Sequence, residues 1–173
     1  MIRRKGLFRA SCALLITLFA DAVTAQEERG KADLKAPGGS IIVDYGRPSL
    51  QGRDMLSKLA VGNYWRLGKN EITVLSTPVP LVFGAIRIPK GNHGLWLKRS
   101  GVAKFELVFN GQVTGHGMVH DAKLDVAAVP MSKSALPNPV EILTIQLQAA
   151  PGGGRIAVNW GGTRLTAGFQ FAK

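Results

Sequence analysis

The sequence contains a single cysteine, Cys12, and no cysteine follows it along the chain. Disulfide bonds and thiolate chemistry are therefore excluded for everything after that position, since both need cysteine sulfur. The stability of the folded part must come from a hydrophobic core instead. About 150 residues lie beyond the N-terminal segment, which is enough for one such core.

Acidic residues are also scarce, because 11 Asp and Glu stand against 22 Lys and Arg, for a formal net charge of +11. A positive charge of this size suggests nucleic acid or an anionic surface as a partner. However, the basic residues are dispersed, no block of five or more occurs, and aromatic residues are not interleaved with them in a nucleic-acid-binding signature. We therefore expect no nucleic-acid partner, and we attribute the charge to solubility and attraction to an anionic envelope.

The chain also lacks an apolar run of the length that a transmembrane helix needs, which is about 20 residues. A shorter apolar run, 10–20, follows four basic residues and precedes the small-residue pattern Val23-Thr24-Ala25. This arrangement is typical of a signal peptide. We predict cleavage after residue 25, export to the periplasm or the extracellular space, and no stable membrane insertion; an uncleaved anchor is the alternative. Cleavage would leave 18 Lys and Arg against 10 Asp and Glu, a net charge of +8.

Hydrophobic residues alternate with polar ones along much of the chain, which is typical of half-buried β-strands. The alternation is clear in 104–109, 143–148, 155–160 and 164–171. Weaker strand candidates are 40–45, 71–76, 79–83, 85–88, 94–98 and 124–129, and turn residues such as Asn110-Gly111, Pro137-Asn138-Pro139, Gly152-Gly153-Gly154 and Gly161-Gly162 separate the candidates. A helical turn fits only within 50–60.

This pattern predicts an all-β fold, with a single-domain β-sandwich or jelly-roll-like architecture over residues 40–173. Residues 26–39 are polar and end in Pro37-Gly38-Gly39, so they are interpreted as a flexible N-terminal lead-in. The predicted organisation is thus a signal peptide (1–25), a lead-in (26–39) and one domain.

The common catalytic signatures are missing, including the Gly-x-Ser-x-Gly elbow, His-Glu-x-x-His and the phosphate-binding glycine-rich loop. A zinc site at His116, His120 and Asp121 is the strongest metal candidate. Two histidines in a glycine-rich loop without a firm third ligand are a weak signal, so we favour solvent-exposed loop histidines. We predict no metal, no cofactor and no catalytic residue.

The densest polar and aromatic region is 44–71, where arginines, carboxylates and a Tyr-Trp pair lie close together in the sequence. An arginine side chain offers a planar charged fork for carboxylate or phosphate, and tryptophan offers a flat face for a sugar ring. The alternative is architectural, with ion pairs Arg66–Glu71 or Arg47–Asp54 that tie loops together.

Two segments of this region resemble the opening of a bacterial family known as domain of unknown function 2911. They are 46–53, with the sequence GRPSLQGR, and 64–71, with the sequence YWRLGKNE. The resemblance continues to Trp160-Gly161 and covers about residues 40–171. It implies an exported β-rich domain but no activity, because a fold alone does not define a function. It also strengthens the interpretation of 44–71 as a ligand site relative to the architectural one, since polar and aromatic loop residues that recur as a motif suggest binding.

We therefore favour a non-catalytic binding or envelope-associated module for a glycan or an anionic ligand. The predicted ligand-binding residues are Arg47, Arg53, Trp65, Arg66, Asn70 and Glu71. The alternative is a hydrolase of cell-envelope material, with Glu71 as general acid and base and Arg66 on an anionic substrate group. That chemistry needs a second carboxylate, for which the candidates are Asp44, Asp54, Asp121 and Asp125. The oligomeric state is not predicted.

Overall fold

The computed structural model describes residues 29–172, and within them ten β-strands dominate. The strands are β1 (Gly30–Ala36), β2 (Gly39–Tyr45), β3 (Tyr64–Trp65), β4 (Thr73–Thr77), β5 (Leu81–Phe83), β6 (Ile86–Ile88), β7 (Gly91–Arg99), β8 (Phe105–Asn110), β9 (Asp125–Ala150) and β10 (Gly153–Phe171). A single-turn helix, α1 (Met55–Lys58), and a 3-10 turn (Ala122–Leu124) are the helical elements of this part. The all-β prediction is confirmed, and the helical turn lies within 50–60 as expected.

The strands form one antiparallel sheet in the order β1-β2-β4-β7-β8-β9-β10-β5-β6, with β3 paired to β7. The long strand β9 connects the two halves of this path, because its first part pairs with β8 and its later part with β10. The strands therefore form one hydrogen-bonded path, and the sandwich or jelly-roll arrangement stays a prediction.

The expected lead-in requires a correction, because residues 30–36 form the edge strand β1 and pair with β2 along its whole length. Pro37 and Gly38 make the turn between these two strands, where Gly38 has a φ of +76° that favours glycine. The signal peptide and residues 26–28 lie outside the described residues.

Two expected turns also require correction. Gly161-Gly162 lies inside β10, and Pro137-Asn138-Pro139 lies inside β9, where the register between the two strands shifts at Gly161. Residues 136–139 and 141–143 of β9 have no ladder partner in β10, and this irregularity accommodates the prolines without ending the strand. The glycine-rich connection at 152–154 does form a hairpin, as predicted, between β9 and β10.

The main core lies on one face of the sheet, where every second residue of the neighbouring strands is a buried hydrophobic side chain. Fully buried members include Leu95, Leu97, Leu107 and Phe109 of neighbouring strands β7 and β8. The residues between them, Trp96 and Val108, point to the opposite face, because successive side chains of a strand alternate. There they form a smaller apolar cluster with Ile72, Tyr64 and Val74. Among residues 29–172 there is no helix long and apolar enough to cross a membrane.

Candidate functional site

Two loops that carry the sequence motif meet at one end of the sheet. One follows β2 and begins at Gly46, and the other connects β3 to β4 through Gly68 and Lys69. A Cβ atom on Gly46 would lie 2.1 Å from the carbonyl oxygen of Lys69, and one on Gly68 would lie 3.1 Å from the carbonyl oxygen of Gly46. Glycine at both positions therefore lets the two loops approach each other at backbone distance.

The second loop has an unusual backbone conformation that its neighbours hold in place. Leu67 and Asn70 have φ values of 51° and 62°, in the left-handed region that non-glycine residues rarely adopt. The Thr73 hydroxyl donates to the Leu67 carbonyl oxygen at 2.9 Å, and Trp65 Nε1 donates to the Gly68 carbonyl oxygen at 3.2 Å. Strained backbone of this kind persists where the surroundings fix it, and it is common at ligand sites.

The two loops border a pocket of about 420 Å³, which we call the basic pocket. Its lining residues come from the start of the described chain, from both motif loops and from the loop before β9; they are Arg29, Gly46, Arg47, Lys69, Asn70, Glu71 and His116. Three of these side chains are cationic and one is a carboxylate. The pocket thus has the charge and the size of a site for a small anionic group.

Arg47 has the most exceptional environment in this pocket. Its Nε atom is buried and has no hydrogen-bond partner among the described residues. A buried N–H group without an acceptor is unfavourable, and a charged one is more so. Arg47 therefore lines the cavity and carries a donor that the described residues leave without an acceptor.

Arg29 is held at the same pocket by three contacts. Its Nε donates to the Asp44 carboxylate, and its Nη2 donates to the Ile72 carbonyl oxygen at 3.2 Å. Its Nη1 lies 3.9 Å from Oε2 of Glu71, whose side chain is 65% exposed. Glu71 is therefore a solvated carboxylate at the pocket rim, and Asp44 fixes the cation next to it.

The proposed Arg66–Glu71 ion pair is wrong. Arg66 Nη1 donates instead to the His116 carbonyl oxygen at 2.6 Å and contacts the Met118 sulfur at 3.4 Å. The backbone N–H of Ile72 donates to the Gly115 carbonyl oxygen at 3.0 Å. Arg66 therefore fastens the glycine-rich loop 113–119, which in turn places His116 at the basic pocket.

Two other predicted site residues lie away from the basic pocket. Trp65 stacks on Trp160 with ring centroids 5.0 Å apart and an interplanar angle of 14°, so it packs against the core. Arg53 is exposed and donates to Gln51 Oε1 at 3.0 Å. The alternative Arg47–Asp54 ion pair is also wrong, because Asp54 caps helix α1 by accepting from the Ser57 backbone N–H.

The family model for a protein of unknown function, DUF2911, matches residues 27–169 of this chain. The chain belongs to the DUF2911 family. Neither a curated protein nor a solved structure matches it. The resemblance carried by the two motif segments is thus confirmed, and in this DUF2911 domain those segments are the loops that build the basic pocket.

A second pocket, of about 270 Å³, adjoins the first across the Arg66–His116 hydrogen bond, and we call it the aromatic pocket. Rings supply most of its lining, which consists of Tyr64, Trp65, Trp96 and His120 together with Arg66, Gly117 and Met118. Tyr64 and His120 stack at a centroid distance of 3.8 Å, and Trp96 meets the His120 ring edge-on at 5.1 Å. The Trp96 Nε1 atom is buried and has no partner among the described residues.

The two loop histidines have different environments. His116 is exposed, as expected, but the His120 side chain is only 8% exposed and its Nε2 lies 2.9 Å from Oδ1 of Asp125. Asn110 Nδ2 donates to the same carboxylate oxygen at 2.8 Å. Within residues 29–172 no group of three or more His, Cys, Asp and Glu side chains is placed to hold a metal ion.

The carboxylates named for the hydrolase alternative all have structural partners. Asp44 binds Arg29, Asp54 caps α1, and Asp121 caps the 3-10 turn by accepting from the Lys123 backbone N–H at 3.0 Å. Asp125 accepts from Asn110 and pairs with His120, as described above. Each is therefore engaged in holding a loop or a helix end of this DUF2911 domain.

Four residues of the basic pocket were not among the predicted ligand-binding residues, namely Arg29, Gly46, Lys69 and His116. Lys69 lies inside the motif, between the predicted site residues Arg66 and Asn70. This position was the signal in the sequence that could have identified it as a pocket residue. Arg29 lies in the segment interpreted as a lead-in, and its role depends on the pairing of β1 with β2.

Proposed function

We propose that this DUF2911 domain is a non-catalytic binding module whose basic pocket takes a small anionic group. The observation that carries the proposal is Arg47, whose guanidinium borders the pocket with a buried Nε that lacks an acceptor. Arginine pairs with carboxylate, sulfate or phosphate through parallel N–H donors, so each of these groups supplies the missing acceptor.

The neighbouring charges support the same ligand class. Arg29 is oriented by Asp44 and lines the pocket from the position before β1, and Lys69 adds a further cationic side chain to the lining. Partial shielding from water strengthens the attraction between such cations and an anion, because the effective dielectric constant is lower than in bulk water. Glu71, at the rim, is suited to accept a hydroxyl or amine hydrogen from the same ligand.

A binding role is favoured over hydrolysis because the candidate second carboxylates all have structural partners. Two-carboxylate hydrolysis requires a partner for Glu71, and the four candidates are engaged in the structural contacts described above. We further propose that the domain acts outside the cytoplasm, on the strength of the N-terminal signal-peptide pattern, and that its ligand is a glycan or another anionic component of the envelope.

The test is a thermal-shift titration with inorganic phosphate, sulfate and galacturonate. A ligand that binds only the folded state raises the unfolding midpoint by mass action. We expect at least one of these anions to raise the midpoint of the native protein and to have no such effect on Arg47→Gln. Arg53→Ala is the matched control, because it removes an exposed arginine that does not line the pocket and should respond like the native protein.

Two outcomes would contradict the proposal. One is that none of the anions shifts the midpoint at low ionic strength, where such contacts are least screened. The other is that Arg53→Ala and Arg47→Gln lose the response equally, which would assign the effect to general surface charge.

A further inference from the structure

The aromatic pocket and the basic pocket are separate cavities that share one segment of the loop 113–119 as a border. His116 lines the basic pocket, its neighbours Gly117 and Met118 line the aromatic one, and the Arg66–His116 hydrogen bond lies between them. A ligand group held in one pocket is therefore next to the other. This arrangement suits a molecule with an anionic substituent and an adjacent ring-shaped unit.

The aromatic pocket has the features that a sugar ring uses. The C–H face of a pyranose packs on aromatic side chains, and Tyr64 and Trp65 line this pocket at a half-buried depth. The Nε1–H group of Trp96 is a donor without an acceptor among the described residues. A sugar hydroxyl oxygen is an acceptor of the kind that this donor lacks. Predominantly apolar walls with one or two directed polar groups are typical of small-molecule sites.

Glycine residues let the loop 113–119 lie close to the aromatic pocket. Gly115 and Gly117 have φ values of 92° and 55°, which favour glycine, and a Cβ atom on Gly117 would lie 2.7 Å from Cγ1 of Ile72. The loop presents Met118 at the pocket while 81% of this residue stays exposed. Methionine is a flexible, polarizable side chain that adapts to the shape of a bound ring.

We propose that the aromatic pocket binds a sugar ring and that the ligand of the domain is an acidic oligosaccharide, with one acidic group on Arg47 and a neighbouring ring against Tyr64 and Trp65. This inference rests on the proposed function, because it extends the ligand from the basic pocket. It specifies the ligand class further, since a simple anion fills only the basic pocket.

The experiment compares four probes by isothermal titration calorimetry: galacturonate, tetragalacturonate, the fully methyl-esterified tetrasaccharide and the peptide tetraglutamate. We expect the native protein to bind tetragalacturonate about tenfold or more tightly than galacturonate. The methyl ester keeps the rings but lacks the charges, so we expect it to bind more weakly than the acid by at least a similar factor.

Met118→Glu tests the aromatic pocket with little risk to folding, because the side chain is exposed. We expect it to weaken tetragalacturonate binding about tenfold and to leave galacturonate binding unchanged. Val119→Glu is the matched control: it adds the same charge at the next residue, which is 78% exposed and does not line the pocket, and should bind like the native protein.

The two proposals fail in different ways. Tetragalacturonate that binds no tighter than galacturonate, or a Met118→Glu variant that behaves like Val119→Glu, would overturn the sugar-ring site while leaving anion binding intact. Equal binding of tetraglutamate and tetragalacturonate would also overturn it, because the peptide has no ring. A lack of Arg47-dependent binding of any anion would overturn the proposed function itself.

Discussion

The close approach of the two motif loops predicts that Gly46→Ala is a damaging substitution. The added Cβ would lie 2.1 Å from the carbonyl oxygen and 2.8 Å from the nitrogen of Lys69. Both atoms belong to the backbone, so no side-chain rotation relieves the contact. An ordinary contact begins at 3.4 Å, and the loops would therefore have to separate by more than an ångström.

The expected loss of stability follows from that separation. Overpacking of a tightly packed position costs about 1–3 kcal/mol. The hydrogen bonds from Thr73 to Leu67 and from Trp65 to Gly68 hold the displaced loop, and weakening them adds about 1 kcal/mol. We expect a total of about 2–4 kcal/mol, which is a large part of the roughly 5–15 kcal/mol of an average domain.

The assay is urea unfolding of Gly46→Ala beside Gly162→Ala. A Cβ atom on Gly162 would meet no heavy atom within 4 Å, so this substitution should change the free energy of unfolding by less than about 0.5 kcal/mol. We also expect Gly46→Ala to lose the anion response, because Arg47 follows it directly. If both alanine variants unfolded like the native protein and bound anion, loop contact would not be what positions Arg47.

Two further predictions concern the connections around the pockets. Arg66→Ala should cost about 1.5 kcal/mol in urea unfolding, the low end of the range for a hydrogen bond from a charged group, because this bond is exposed. A loss of ~3–5 kcal/mol, the cost of an orphaned buried carboxylate, would show that Arg66 does more than bind the His116 carbonyl. The Ser49 hydroxyl and the Gln51 backbone N–H donate to Glu141 and lower its pKa below the ordinary range. This carboxylate therefore stabilises the folded state above about pH 4.5, and the contribution is lost as the pH falls through the lower folded-state pKa. Glu141→Gln should reduce the acid sensitivity of the urea midpoint as the pH falls below about 4.5, and an unchanged sensitivity would refute the assignment.

The strands that the sequence predicts best are those with large alternating hydrophobic residues. In 104–109 the residues Phe105, Leu107 and Phe109 are all buried, and the segment corresponds to β8. Strand β1 was missed because its inward positions are occupied largely by small residues, Gly30 and Ala32 among them. Small residues give little hydrophobic signal, so the pairing with β2 and burial against it decide the structure there.

Long strands were divided wrongly for a related reason. Glycine and proline within a segment indicate a turn when they are considered locally. In β9 and β10 an irregular stretch of the ladder accommodates them, and the pairing continues on both sides of Gly161. Whether such an irregularity or a turn forms depends on the partner strand, which is information that a local pattern does not contain.

The candidate site was predictable in composition but not in geometry. Residue chemistry identified Arg47, Asn70 and Glu71, and all three line the basic pocket. It paired Arg66 with Glu71 because they are close in sequence and opposite in charge. The actual partner of Arg66 is a backbone carbonyl fifty residues away, and any exposed carbonyl in the chain is an equally plausible acceptor before the fold is known.

The motif of this DUF2911 domain therefore combines two kinds of residue that respond differently to substitution. Trp65 and Gly68 support the strained loop through the core stack and the close backbone contact, whereas Arg47 borders the cavity with an unused donor. Loss of binding in a Trp65 variant would be ambiguous, because the loop that shapes the pocket would move as well. Loss of binding in Arg47→Gln without loss of stability is diagnostic, since no other group among the described residues depends on the buried Nε for a hydrogen bond.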